Sequence, residues 1–401
     1  MAAKIDFIAS GSITSPKGFL AGATYAGIKK KTKDGSDLSL LLSEVPCQAA
    51  AMFTTNKIKA APVVLSQQRL KSGRARAVVV NSGCANAFTG EPGLADAAEM
   101  ADLAARNRGL SPEDVLVAST GVIGERLPME LIRDGIERIT LSRDGGHDLA
   151  RAIMTTDTVP KEAAVTTGDF TVGGAAKGAG MIHPQLGTLL CFLTTDAAVE
   201  LGFLKAALQK AVELSFNMIS IDGDTSPNDT VLILANGLAG GTSVSGDTEQ
   251  GAIFQQALEQ VCTYLAKSIA RDGEGATRLI EVTVSGAVSL AEARLAARTV
   301  VSSPLVKAAV HGADPNWGRI VAALGRSGAE VVGSKIDLYI GNVCLVRGGQ
   351  LPPFDKSRVA AILKGSEVPI LVNLNLGTAK ANAWGCDLSE EYVTINSQYT
   401  T

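Results

Sequence analysis

The 401-residue chain has few aromatic residues, few histidines and little net charge. Because Phe, Trp and Tyr make up only 4% of the residues, we expect a core of Ala, Val, Leu and Ile, as in layered α/β proteins. The formal net charge of -3 offers no basic field for a nucleic-acid backbone, and the run Lys29-Lys30-Lys31 is typical of a solvated turn. We therefore expect no nucleic-acid partner.

Long hydrophobic runs are also absent. No stretch of about 18 consecutive apolar residues occurs, as a membrane-spanning helix would require. Residues 1–6 (MAAKID) lack the long apolar segment of a secretory signal. These absences predict a cytoplasmic protein with no membrane partner.

Cysteine and histidine are too sparse or too scattered for common metal sites. The six cysteines show no C-x-x-C spacing, which argues against a structural zinc site and a disulfide scaffold, so most are interpreted as small buried hydrophobes. Only three histidines, His147, His183 and His311, are present for a metal centre or a Ser-His-Asp triad. We expect no metal, no cofactor and a catalytic mechanism without histidine.

Strand and helix signals alternate along the chain. In the first half they predict a strand over 75–80, a helix over 94–105, and a strand over 114–119 that leads through a glycine loop to a helix opening at Pro128. In the second half they predict helices over 201–216 and 253–269, strands over 230–235, 279–284 and 335–340, and mixed strand and loop from residue 368 onward. No repeat or flexible linker separates two domains.

One threonine stands where a glycine-rich loop turns into an apolar strand, within residues 177–196. Gly187 has no Cβ, so it can present a strained carbonyl to the hydroxyl of Thr188. If the bond between them breaks, Thr188 gains an α-amine with a reference pKa of about 7.7 to 8, which could serve as the base for its own hydroxyl. The alternative is a threonine that merely starts a buried strand.

Four other segments carry candidate chemistry. Residues 119–124 offer a hydroxyl and backbone N–H groups at a strand end, as an oxyanion hole requires, although an ordinary turn is the alternative. Glu274 lies between two glycines and could hold a ligand ammonium group, or lie in a solvated turn. Lys177 could pair with a substrate carboxylate, or be exposed. Residues 222–229 resemble a calcium loop in composition but lack its closing glutamate, so we interpret them as a turn.

Several long motifs occur together in a defined order: 80–87 (VNSGCANA), 119–124 (STGVIG), 154–158 (MTTDT), 177–196, 272–277 (DGEGAT) and 314–319 (DPNWGR). Over almost the whole chain they resemble ornithine acetyltransferase, the bifunctional glutamate N-acetyltransferase and amino-acid acetyltransferase of arginine biosynthesis. The resemblance implies an α/β (α+β layered) architecture, the ornithine acetyltransferase/DmpA-like fold, with the catalytic logic of N-terminal-nucleophile hydrolases. It also implies self-cleavage into an α chain, 1–187, and a β chain, 188–401, assembled as an α2β2 heterotetramer.

The resemblance also assigns roles to residues. Thr120 and Gly121 match the oxyanion hole. The residues matched to substrate contacts are Thr155, Lys177, Thr188, Glu274, Asn396 and Thr401. The adjacent Thr156 could align in place of Thr155. The family usually has alanine before the nucleophile, where this chain has Gly187; we expect cleavage there nonetheless.

The implied reaction is a ping-pong transfer. Thr188 attacks the acetyl group of N2-acetyl-L-ornithine, L-ornithine leaves, and L-glutamate takes the acetyl group from the threonine ester. Lys177 suits the α-carboxylate of both substrates, and Glu274 suits the ornithine side-chain ammonium. Some members of the family also accept acetyl-CoA as donor. Two alternatives stay open: an N-terminal-nucleophile amidohydrolase or aminopeptidase, and an uncleaved small-molecule binding protein.

Overall fold

The computed structural model describes residues 4–29, 35–183 and 189–398. Within these residues, the strands are β1 (Asp6–Phe7), β2 (Phe19–Thr24), β3 (Leu38–Phe53), β4 (Arg74–Cys84), β5 (Val115–Val122), β6 (Lys161–Thr166), β7 (Thr171–Lys177), β8 (Leu190–Val199), β9 (Ile219–Ser220), β10 (Thr230–Val244), β11 (Leu279–Ala287), β12 (Asp337–Ile340), β13 (Val343–Val346), β14 (Glu367–Asn373) and β15 (Ala379–Cys386). The α-helices of the same ranges are α1 (Ala61–Arg69), α2 (Gly90–Arg108), α3 (Met129–Arg138), α4 (Gly146–Ala152), α5 (Leu201–Leu214), α6 (Glu249–Arg271), α7 (Leu290–Val301), α8 (Pro304–His311), α9 (Trp317–Gly325), α10 (Lys356–Leu363) and α11 (Glu390–Gln398). None of the helices described here is long and apolar enough to cross a membrane.

The larger sheet has the strand order β1-β6-β7-β8-β10-β3-β4-β5, and β2 also pairs with β3. Strands β8 and β10 run parallel, as do β4 and β5. The predicted division after residue 187 falls between β7 and β8, which pair antiparallel with Lys177 opposite Leu190. The two predicted chains therefore share one sheet rather than forming separate domains.

This sheet folds over on itself. Its long strand β3 pairs with β4 over residues 38–42 and 47–48 and with β10 over residues 48–53, and its register with β4 shifts between Leu42 and Cys47. Leu116 of β5 and Phe192 of β8 belong to one buried cluster, although three strands separate them in the sheet order. Such contacts require the two halves of the sheet to face each other.

Helices cover the outer faces of the folded sheet. Alternate residues of β4 enter different clusters, since Val79 packs with α2 residues such as Met100, whereas Val78 lies in the cluster between the two halves. On the other half, Leu193 of β8 packs in a cluster with Leu265 of α6. Alanine is abundant at these interfaces, as the scarcity of aromatic residues predicts.

A second sheet has the order β13-β12-β14-β11-β15-β9 and comes entirely from the second half of the chain. On β11, Ile280, Val282 and Val284 are buried and the residues between them are partly exposed, as the predicted alternation requires. Helix α6 contacts both sheets and joins them through one core. The architecture is thus layered α/β, as predicted.

The expectation of mixed strand and loop after residue 368 is wrong for its last part. Strands β14 and β15 are present, but Glu390–Gln398 forms helix α11. No residue of α11 is buried. Its sequence, EEYVTINSQ, therefore lacks the apolar stripe by which a helix is recognised.

Candidate active site

One cavity gathers the predicted site residues. Its volume is about 240 Å³. Every predicted site residue that the structure describes lines it: Thr120, Gly121, Thr155, Lys177, Glu274 and Asn396. Gly187, Thr188 and Thr401 lie outside the described residues. Residues more than 270 positions apart in the sequence thus line one cavity.

The oxyanion-hole candidates stand at the end of β5. Gly121 has a φ of 132°, and a Cβ at this position would lie 2.3 Å from the carbonyl carbon of Gly83 on the neighbouring strand β4. Any larger residue would push the two strand ends apart. Glycine is therefore required for the backbone of Thr120 and Gly121 to line the cavity.

Lys177, the last residue of β7, lies buried beside this strand end. Its Nζ donates to Oγ1 of Thr155 at 2.7 Å and to Oγ1 of Thr120 at 3.2 Å. Because an ammonium group can only donate, both hydroxyls act as acceptors toward it and keep their own hydrogens for other partners. Burial lowers the pKa of Lys177, and the charge of Asp157 opposes that shift.

The structure distinguishes the two adjacent threonines of the MTTDT motif. Both Thr155 and Thr156 line the cavity. Of these two threonines, only Thr155 is bonded to Lys177 through its side chain among the interactions of the described residues. The backbone N–H of Thr155 also donates to Asp157 at 3.0 Å, which fixes the turn that carries both threonines.

A row of buried charges extends behind Lys177. Asp157 accepts hydrogen bonds from Lys161 Nζ and from the N–H of Gly178, and Lys161 also bonds to Asp272 at 2.6 Å. Burial acts to raise the pKa of Asp157, but the ammonium groups of Lys177 and Lys161 lower it to about 2. Negative and positive groups alternate along the row, so each buried charge is compensated.

Sequence reasoning missed Asp157 and Lys161. Their spacing resembles an ordinary surface pair, and the second partner of Lys161, Asp272, lies 111 residues further along the chain. The side chains of Lys161 and Asp157 are 1% and 0% exposed. The presence of Asp157 and Asp272 in two of the quoted motifs was the only available signal.

Carboxylates line another part of the cavity. Glu274 accepts from Nδ2 of Asn396 at 2.7 Å, and a Cβ on Gly180 would lie 2.4 Å from its Oε2. Asp222 accepts from three backbone N–H groups, and burial raises its pKa. The exposed Asp224 also lines the cavity. The cavity therefore offers one buried cation and several anions to a small charged ligand.

The histidines and most cysteines lie outside this arrangement. His147 pairs with Glu162 and His311 with Asp387, while His183 contacts Ser220. None of these three described histidines lines the cavity. Five of the six free cysteines are buried, which confirms their interpretation as small core residues; Cys344 is partly exposed.

Comparison with known proteins identifies the family. A family model described as the ArgJ family matches residues 20–401. The chain belongs to the ArgJ family. The arginine biosynthesis bifunctional protein ArgJ of Dehalococcoides mccartyi strain CBDB1 is 56% identical over 405 residues, covering 100% of both chains. The family predicted from the motifs is confirmed.

Two solved structures of ArgJ relatives match part of the chain. The arginine biosynthesis bifunctional protein ArgJ of Bacillus halodurans is 45% identical, with a TM-score of 0.50, over 51% of this chain and 97% of that chain. An ornithine acetyltransferase from Mycobacterium tuberculosis, solved in complex with ornithine, is 42% identical, with a TM-score of 0.44, over 47% of this chain and 100% of that chain. The match to the Bacillus halodurans ArgJ confirms the predicted fold class of this chain.

Proposed function

We propose that the chain transfers the acetyl group of N2-acetyl-L-ornithine to L-glutamate through an acetyl ester on Thr188. As an ArgJ family member, the chain is an acetyltransferase of arginine biosynthesis, as predicted. The observation that carries the proposed mechanism is the single cavity lined by Lys177, Glu274 and the Thr120–Gly121 strand end.

The charges of the cavity suit the proposed donor. An ammonium group has three hydrogens, and the threonine hydroxyls occupy two of those on Lys177. The third is available to the α-carboxylate of the substrate. Glu274 accepts a hydrogen bond from the side-chain ammonium of ornithine. Asn396 fixes the orientation of the Glu274 carboxylate.

The acyl step uses the strand end as an oxyanion hole. The hydroxyl oxygen of Thr188 attacks the acetyl carbonyl, and its proton moves to the Thr188 α-amine. The N–H of Gly121 and the hydroxyl hydrogen of Thr120 receive the developing negative charge; Lys177 polarises that hydroxyl through its oxygen. The amide C–N bond then breaks, and the proton passes to the departing amine of ornithine.

The second half of the cycle reverses these movements. The neutral α-amine of glutamate attacks the acetyl-threonine ester, and the same donors hold the oxyanion. The C–O bond between the acetyl group and Thr188 breaks. The proton released from the new amide nitrogen passes to the Thr188 oxygen and restores its hydroxyl. Hydrolysis by water is the competing fate of the ester.

One observation supports cleavage before Thr188. The solved Bacillus halodurans chain is matched over 97% of its length by only 51% of this chain, as expected for a relative divided near its middle. The α2β2 assembly, the cytoplasmic location, the absence of a cofactor and the use of acetyl-CoA stay predictions.

The deciding experiment is Thr188→Ala, with Thr283→Ala in the second sheet as the control. Wild type and the control should be cut into two chains and should acetylate glutamate with acetylornithine, with parallel lines in double-reciprocal plots. The Thr188→Ala protein should remain one chain and be inactive. Cleavage and activity in that variant would refute the proposal, whereas turnover without glutamate would favour an amidohydrolase.

A further inference from the structure

The polar segment 226–229 (SPND), predicted to be part of a turn, reaches into the core just before β10. Asn228 is 5% exposed and Asp229 is 0% exposed. Successive side chains of an extended segment point in opposite directions. Two adjacent polar residues can therefore bind two different elements at once.

Asn228 binds the strand that carries the oxyanion-hole candidates. Its Nδ2 donates to the carbonyl oxygen of Ser119 at 2.8 Å and to that of Ala85 at 2.7 Å. Ser119 directly precedes Thr120, so this bond fixes the peptide unit at which the oxyanion hole begins. Both hydrogens of the amide are used, which leaves a single orientation for the side chain.

Asp229 binds the residue that follows the proposed nucleophile. Its Oδ1 accepts from the N–H of Leu189 at 3.1 Å, and the N–H of Thr230 donates to the carbonyl of Leu189, also at 3.1 Å. Residues 229 and 230 thus hold both backbone groups of Leu189. Burial raises the pKa of this carboxyl well above its ordinary value.

We propose that Asn228 and Asp229 are positioning residues that align the oxyanion hole with the backbone directly after the nucleophile. The inference rests on the proposed function of Thr188, Thr120 and Gly121. The attacking oxygen and the oxyanion donors must be positioned relative to each other with a precision of a few tenths of an ångström. A misplacement of about 1 Å lowers the rate about 100-fold. Here the residues just before β10 bind both the oxyanion-hole strand and the backbone of Leu189.

The test compares Asp229 with a matched buried carboxylate. Asp196 lies near the other end of β8, is 2% exposed, and accepts backbone N–H groups from Lys17 and Thr171. The variants are Asp229→Ala, Asp229→Asn, Asn228→Ala and Asp196→Ala. For each, kcat and KM are measured per cleaved chain, together with the rate of cleavage and the urea midpoint.

Asp229→Ala and Asn228→Ala should lower kcat at least about tenfold and slow cleavage, with KM for acetylornithine within about twofold of wild type. Asp229→Asn keeps an acceptor oxygen and should restore most of kcat. Asp196→Ala should lower the urea midpoint while kcat stays near wild type.

The inference is overturned if folded Asp229→Ala and Asn228→Ala keep wild-type kcat, or if Asp196→Ala loses as much kcat as they do. If Asp229→Ala does not fold, Asp229→Glu and Asn228→Ser decide in its place, since each displaces a polar atom without emptying the site; unchanged kcat in both overturns the inference. Failure of the proposed function is distinguishable, because wild type itself would then lack Thr188-dependent acetyl transfer.

Discussion

The ammonium nitrogen of Lys177 lies 3.2 Å from the hydroxyl oxygen of Thr120, although β7 and β5 stand five places apart in the sheet order. In a flat sheet five strand spacings amount to about 24 Å. The folding of the sheet at β3 removes this separation. It brings a cation from one half of the sheet to the oxyanion-hole candidates on the other.

Lys177→Met should lower kcat about 100- to 1000-fold, because the Thr120 hydroxyl loses the cation that polarises it. Steady-state acetyl transfer per cleaved chain measures the effect. Lys205→Met, on the exposed face of α5, is the control and should leave kcat unchanged. A Lys177→Met enzyme with kcat within about twofold of wild type would show that the cation does not support the oxyanion hole.

Glu274→Gln should raise KM for acetylornithine roughly 10- to 100-fold, since a hydrogen bond to a charged group contributes about 1.5–3 kcal/mol. KM for glutamate should not rise, because glutamate has no side-chain ammonium. Glu281→Gln in the second sheet removes a carboxylate paired with Lys267 and should change neither constant. An unchanged KM for acetylornithine in Glu274→Gln would show that Glu274 does not recognise the donor.

Lys161→Met should destabilise the protein by about 3–5 kcal/mol, because Asp157 and Asp272 lose a buried counter-ion. Urea unfolding measures the change in free energy. Arg151→Met breaks an exposed pair with Asp148 in which both side chains are 57% exposed, and should cost no more than about 1 kcal/mol. Equal effects of the two substitutions would contradict the role of burial.

Acid should weaken the fold through Asp157. The pKa of its carboxyl is about 2 in the folded protein, against about 3.9 in an unfolded chain, so ionised Asp157 contributes about 2–3 kcal/mol above pH 4. That contribution is lost as the pH falls from about 4 through about 2. Urea unfolding across this range should give a shallower loss of stability for Asp157→Asn than for wild type, whereas the exposed Asp148→Asn should follow wild type.

Much of the site was predictable because its residues lie in contiguous motifs. Thr120, Lys177 and Glu274 each stand within a run of glycines and polar residues at the end of a strand or helix, and the fold brings those three runs to one cavity. Residues 75–80 and 279–284 likewise showed their strands through continuous or alternating apolar side chains.

The supporting residues were not predictable, because their roles depend on distant partners. Lys161 is buried only because Asp157 and Asp272 meet it from separate segments. Asn228 lies in a stretch whose composition resembles a solvated turn, yet it binds the carbonyl of Ser119, 109 residues earlier. Helix α11 has no buried residue, yet its Asn396 lines the cavity.

The pairing of β7 with β8 gives the proposed cleavage a further consequence. Cutting the chain between these strands turns a covalent connection into a strand-to-strand interface that was formed before the cut. The two products should remain bound and unfold together, because separation would expose sheet edges and buried apolar surface on both. Once unfolded, however, they must find each other again, so refolding of the cut enzyme should depend on protein concentration, whereas refolding of the uncut Thr188→Ala chain should not.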